Sequence, residues 1–211
     1  MADPLNVVID LSHFNGNVDL QQAAASGILG MIQKATQGLG FVDPTFAINR
    51  QKAQSAGLLF GAYHFGTSGD GAAQAQHFLN TVGTAPGTLL VLDLEANPVG
   101  PSMSLGDARA FVTQVNATTG RYPGLYSGSY IKEQLGSASD PVFAQCWFWL
   151  AQYDATPSVP ANWPIWTMWQ YTDGANGPEP HIVPGVGRCD RDMFNGGEDQ
   201  LRRLWGSTAT V

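Results

Sequence analysis

Five short apolar runs, each followed by a stretch with helical signals, limit what this 211-residue chain can fold into. Val7–Leu11, Met31–Ala35, Leu59–Phe65, Leu89–Glu95 and Gly124–Ser127 read as strands. The intervening helices are marked by their ends. Asp19 to Ser26 stops at Gly27, and Gly71–Val82 has helical composition. Asp43-Pro44 reads as an N-cap followed by proline at the first helical position, with Gly57 closing that helix. Ser104 and Asp107 have capping-box spacing, and Ala108, Phe111, Val112 and Val115 then share one helical face. Tyr130–Leu135 reads as a short fifth helix. Strand–helix repeats of this kind build parallel sheets, because a parallel crossover needs a long connection.

Beyond Leu135 the helical signals fade. Cys146–Tyr153, Ile165–Thr172 and Arg188–Phe194 read as three further strands, joined by loops rich in proline, and Leu201–Trp205 as a short closing helix. About eight strands with five helices imply closure into a degenerate TIM-like α/β barrel whose last three strands lack full helices. No linker or internal repeat divides the chain, so residues 1–211 are expected to form a single domain.

Composition excludes several classes. Hydrophobic residues make up 44% and charged residues 13%, which fits a packed core and rules out a disordered chain. The net charge is −7 with few, scattered Lys and Arg, so neither nucleic acid nor an anionic membrane is an expected partner. The opening Met-Ala-Asp-Pro-Leu-Asn has no basic region followed by an apolar stretch, so no signal peptide is expected, and no run is long enough to span a bilayer. Cys146 and Cys189 lack a CxxC spacing; one disulfide and two buried thiols both remain open.

In barrels of this kind the active site collects at the C-terminal ends of the strands. Leu89-Leu90-Val91-Leu92-Asp93-Leu94-Glu95 ends in two acids. Strand side chains alternate, so Asp93 and Glu95 point the same way, with Cα atoms ~6.6 Å apart. An apolar strand has no structural need for two acids, and carboxyl pairs at such separations are what glycosidases use. Asp10 ends the first strand; Asp190 and Asp192 lie on one face of the last. Tyr63, Tyr126, Trp149, Tyr153, Trp169, Gln170 and Tyr171 also fall near strand ends, where aromatic rings would stack on sugar faces. Asp192 is expected to order the Phe194-Asn195-Gly196 turn, and His13 and His64 to be hydrogen-bonded structural histidines.

These residues resemble glycoside hydrolase family 25, the Chalaropsis-type lysozymes. The likeness rests on Val8-Ile9-Asp10-Leu11-Ser12-His13-Phe14-Asn15-Gly16, Lys34-Ala35-Thr36-Gln37-Gly38, Gly61-Ala62-Tyr63-His64-Phe65, Asp93-Leu94-Glu95, Trp169-Gln170-Tyr171-Thr172 and Asp190-Arg191-Asp192-Met193-Phe194-Asn195-Gly196. Their order and spacing cover nearly the whole chain. The resemblance implies a single catalytic barrel that cleaves the β-1,4 bond between N-acetylmuramic acid and N-acetylglucosamine in peptidoglycan, outside the cytoplasm. It implies Glu95 as general acid and Asp93, Asp10 and Asp190 as the remaining acids, with Tyr63, Tyr126, Trp149, Trp169 and Gln170 against the substrate. It implies no metal or organic cofactor, and a monomer is expected. The chain departs from the family pattern at Asn15, Gln37 and Asp192, where the family often has Gln, Glu and Asn; the second removes a negative charge near the cleft.

Two other classes compete. A metal-dependent phosphodiesterase could place Asp10, His13, His64, Asp93 and Glu95 around a cation, although HxH and HExxH spacings are absent and basic residues for a phosphate are sparse. A sugar-binding module without catalysis is the other, and the intact Asp93/Glu95 pair argues against it.

Overall fold

The computed structural model describes residues 3–206. Its strands are β1 (Leu5–Leu11), β2 (Gly30–Gln37), β3 (Phe41–Val42), β4 (Leu59–Phe65), β5 (Thr88–Asp93), β6 (Gly124–Ser127), β7 (Phe148–Ala151), β8 (Met168–Thr172), β9 (Ile182–Val183), β10 (Gly187–Arg188) and β11 (Asp190–Phe194). Its helices are α1 (Leu20–Ala25), α2 (Phe46–Ser55), α3 (Gly71–Val82), α4 (Leu105–Thr119), α5 (Ser129–Leu135) and α6 (Glu198–Gly206).

Eight strands close on themselves in the order β1-β2-β4-β5-β6-β7-β8-β11, with β11 returning to β1. Seven run parallel, and β11 is antiparallel to both neighbours. The repeat pattern had implied parallel strands throughout. The last connection carries the short β9–β10 hairpin instead of a crossover helix, and without a crossover helix nothing forces the parallel direction. The single β3 strand pairs with the end of β2 outside the barrel wall.

Two apolar layers follow from the period-2 alternation. Val8, Ile32, Leu89, Val91, Tyr126, Trp149, Met168 and Phe194 fill the interior. Ile9, Leu11, Met31, Leu90, Leu92, Leu125, Phe148 and Leu150, one residue out of phase, face the helices. Leu201 and Trp205 of α6 join the interior cluster, and Trp205 lies against Gly30 at the start of β2. Thus α6 packs onto the end of the barrel where the parallel strands begin, and the interior opens at the other.

Helix ends depart from expectation in one place. Asp19, Asp70 and Ser104 cap α1, α3 and α4 through side-chain oxygens that accept from the backbone of Gln22, Ala73 and Asp107. Asp43, however, is not the N-cap of α2. Its Oδ1 accepts from the backbone N and the hydroxyl of Thr45, which is the N-cap residue, so Asp43 organises the turn before the helix. No helix among the described residues is long and apolar enough to cross a membrane. Cys146 and Cys189 are both free and buried, which resolves the open question in favour of two thiols.

Candidate active site

A cleft of about 600 Å³ opens where the parallel strands end, lined by Asp10, Lys34, Tyr63, Asp93, Glu95, Tyr126, Trp149, Tyr153, Gln170 and Asp190 among others. Asp93 is the last residue of β5 and is 5% exposed. Glu95 follows just past the strand end, half-buried. The extended course continues that far because Leu94 N donates to Tyr126 O at 2.9 Å and Ser127 Oγ donates to Leu94 O at 2.5 Å. The two acids therefore share the cleft face, as the alternation required.

Asp10 enters from β1 and is directly opposite Asp190 on β11. Like charges in direct cross-strand register repel. Gln170 relieves Asp10 by donating from Nε2 to Oδ2 at 2.7 Å. Its amide oxygen accepts from the hydroxyls of Tyr126 and Tyr153, each at 2.8 Å. Two tyrosines on the oxygen and one carboxylate on the nitrogen fix the amide's orientation.

Burial, then Asp190 and Asp192, push the Asp10 carboxyl well above the ordinary carboxylate range. Burial, then the charge of Glu95, do the same to Asp93, whose buried Oδ1 lacks a hydrogen-bond partner. Glu95 is raised by burial, and Lys34 opposes the rise in both. Asp190 is raised to about 7, chiefly by burial and then by Asp173. The pair Asp93/Glu95 thus keeps a proton into the pH range where a free carboxyl would be ionised.

Trp149 and Trp169 separate. Trp149 points inward, forms an edge contact with Tyr126 at 4.8 Å between centroids, and donates from Nε1 to Asp192 Oδ1 at 2.8 Å. Trp169 is a correction to the sequence reading. It follows Met168 and precedes Gln170, both inward, so it faces outward, packs edge-on to Trp166 and Tyr171, and donates to Gln152 O at 2.6 Å. It is not part of the cleft lining. Asp192 is a second correction. It does not order the turn at Phe194 but lies fully buried beneath the cleft floor, with Oδ2 unpartnered.

Phe14, at 84% exposure, and Val99, at 86%, stand on the rim with Phe41. His13 packs on Phe14 at 4.1 Å between centroids. Neither Phe41, on the two-residue strand β3, nor Val99, on a loop, lies in a segment long enough for periodicity to mark it. Asn97-Pro98-Val99, two residues past the acid pair, was the available signal.

The two histidines are held as structural groups. His64 is buried between Thr36 Oγ1 at 2.8 Å and Gln74 Oε1 at 3.0 Å, stacks on Phe111, and is lowered to about 4 by burial. His13 places Nδ1 2.8 Å from Asp43 Oδ2. With His64 on the helix side of the wall and His13 turned onto Asp43, the five residues considered for a cation do not converge. No group of three or more His, Cys, Asp or Glu able to hold a metal ion occurs among the described residues.

Residues 9–179 match the family model for glycosyl hydrolases family 25. This chain belongs to that family. Lysozyme M1 of Streptomyces globisporus is 32% identical over 95% of this chain and 71% of its own length. The N,O-diacetylmuramidase of a Chalaropsis species is 31% identical over 92% of this chain and 96% of its own. The bacterial lysozyme structure from Streptomyces coelicolor superposes with a TM-score of 0.86 at 33% identity, covering 98% of this chain and 100% of that one.

Proposed function

We propose that this family 25 glycosidase is a peptidoglycan hydrolase of the lysozyme type, cleaving the β-1,4 bond between N-acetylmuramic acid and N-acetylglucosamine. The observation that carries the reading is the Asp93/Glu95 pair, two carboxyls on one face at the mouth of a cleft deep enough for a glycan strand. A glycosidic oxygen is a poor leaving group and needs a proton as the bond breaks. Glu95 is the more open of the pair, so that oxygen reaches it first, and burial raises its carboxyl above the ordinary range, which favours the protonated form a general acid needs. Asp93 lies deeper and, once ionised, supports the positive charge that develops on the ring.

The sugars of this polymer carry acetamido groups. Asp93 is suited to orient the 2-acetamido group as the internal nucleophile. Tyr63 lines the same wall. Asp10 and Asp190 face the pair across the cleft, and Tyr126 and Trp149 form its floor. Proton donor and counter-charge both come from side chains, so the scheme calls for no metal or organic cofactor. In this reading the enzyme is a single catalytic domain that acts as a monomer on wall glycan outside the cytoplasm. With a net charge of −7, nucleic acids and anionic membranes have no place as partners.

Mass spectrometry of soluble products from purified peptidoglycan, treated in parallel with wild type and Glu95→Gln, tests this. Wild type should release fragments ending in reducing muramic acid. Glu95→Gln should be slower by roughly 10²-fold or more with its circular dichroism unchanged. Reducing glucosamine ends would make the enzyme a glucosaminidase, equal release by the variant would remove Glu95 from the chemistry, and no release from any wall would overturn the substrate.

A further inference from the structure

Lys34 is the sole lysine or arginine among the residues lining the cleft. It is 7% exposed, and its ammonium lies 4.9 Å from the centroid of the Phe65 ring and 5.7 Å from that of Phe41. A cation taken this far out of water ordinarily rests against a carboxylate. Here Nζ donates to Gln37 Oε1 at 2.7 Å, and among the described residues Lys34 forms no ion pair. An amide oxygen orients an ammonium but leaves its charge intact.

The backbone fixes this arrangement. Gln37 closes β2, paired with Phe41 of β3 on one side and Phe65 of β4 on the other. The two rings and the amide thus converge on Lys34 from three strands. Burial lowers the pKa of the Lys34 ammonium, and the negative charges of Asp93 and Glu95 from the end of β5 and of Asp43 from the turn before α2 oppose that fall and favour its charged form. Asp43 is already held by His13 and Thr45. His64 on β4 is buried on the other side of the wall and stays neutral, and Tyr63 on the same strand keeps its proton. That leaves Asp93 and Glu95 to receive the charge.

We propose that Gln37 is a positioning residue: its amide holds the Lys34 ammonium in the cleft without neutralising it, so that the full charge acts on Asp93 and Glu95 and sets the pH range in which the pair works. The inference rests on the glycosidase reading of that pair. The sign is fixed by electrostatics. A positive charge favours the ionised carboxyl, so neutralising it makes the pair hold its protons to higher pH. Gln37→Glu puts an anion against the ammonium with almost no change in shape.

The test follows the ¹³C carboxyl resonances of Asp93 and Glu95 against pH in wild type, Gln37→Glu, Lys34→Met and the double variant. Gln37→Glu should move the titration of the pair upward by about one pH unit, a tenfold change in its protonated-to-ionised ratio. Lys34→Met, which removes the charge itself, should move it upward as well, and the double variant no less. Lys34→Gln serves the same arm if the methionine variant does not fold. The alkaline limb of kcat/KM against pH should rise with the titration. Superimposable titrations of wild type and Gln37→Glu would overturn the proposal. So would a titration unmoved by Lys34→Met, which would mean that the ammonium does not act on the pair. The titration needs no substrate, so a protein that releases nothing from any wall would lose the proposed function alone, whereas an unmoved titration in a lytic enzyme would sink only this inference.

Discussion

Gln170 ties together more of the cleft than any other single side chain. Through its amide, Asp10 on β1 is connected to Tyr126 on β6 and Tyr153 beyond β7. Gln170→Leu keeps the volume and leaves two hydroxyls and a carboxyl unpartnered. One buried polar group left unsatisfied costs about 1–3 kcal/mol, so chemical denaturation should show a loss at or above that scale. Asp10 would no longer be held in place, and kcat/KM should fall by roughly 10-fold or more. Unchanged stability and turnover would show that the amide is incidental to the site. At this scale the sequence is legible wherever strand alternation decides the face. Asp93 and Glu95 follow from it, as do Tyr126, Trp149 and Gln170. Trp169 was misplaced by the same rule left unapplied: a residue adjacent to an inward Gln170 must face out. Lys34 falls in an interior-facing position of β2, but its ties to Gln37 and Phe41 depend on the β3 hairpin, which is two residues long and leaves no periodic trace.

The direction of β11 explains what was hardest to read among the elements. In a strand antiparallel to its neighbours, the first residue, not the last, reaches the open end of the barrel. Asp190 begins β11 and so meets Asp10, while Asp192 lies two residues deeper. Read as one more parallel strand, the segment puts Asp192 at the mouth and Asp190 below it. The five strand–helix units were legible because capping residues and helical periodicity mark their boundaries. The connections after β7 and β8 carry proline, glycine and short bridges, which say that a helix is missing without saying which way the next strand runs. One close approach between elements is open to test. Gly71 begins α3 where the helix passes α4, and a Cβ there would overlap the backbone carbonyl of Asp107. Backbone cannot yield as a flexible side chain can. Gly71→Ala should therefore lower stability by about 1–3 kcal/mol, despite alanine's better helix propensity, in a two-state denaturation experiment. A neutral or stabilising result would mean that α3 and α4 slide apart at no cost.

For the whole molecule, the acid cleft sets how stability depends on pH. Burial pushes Asp10, Asp93 and Asp192 well above the carboxylate range, and Asp190 to about 7. A carboxyl that holds its proton more tightly when folded favours folding at low pH. That advantage is lost as pH rises from the unfolded value near 3.8 toward the folded one. Asp43, Asp140 and Asp173 act the other way. Burial raises each, but hydrogen bonds outweigh it, so their contribution is present above the same value and lost below it. The fold should accordingly be most stable on the acid side of neutrality. Asp192 isolates the first effect, because its only hydrogen bond is accepted by Oδ1 from Trp149 and an asparagine can accept it equally well. Asp192→Asn removes one titrating group and keeps the shape. The difference in unfolding free energy between variant and wild type should then shift in the variant's favour as pH rises from about 4 toward 8. The slope should be up to about 1.4 kcal/mol per pH unit until the carboxyl's folded midpoint is passed. Thermal unfolding of both proteins across that range measures the slope directly. A constant difference would mean that Asp192 binds its proton alike in the folded and unfolded chain, and that its burial beneath the cleft floor carries no electrostatic cost.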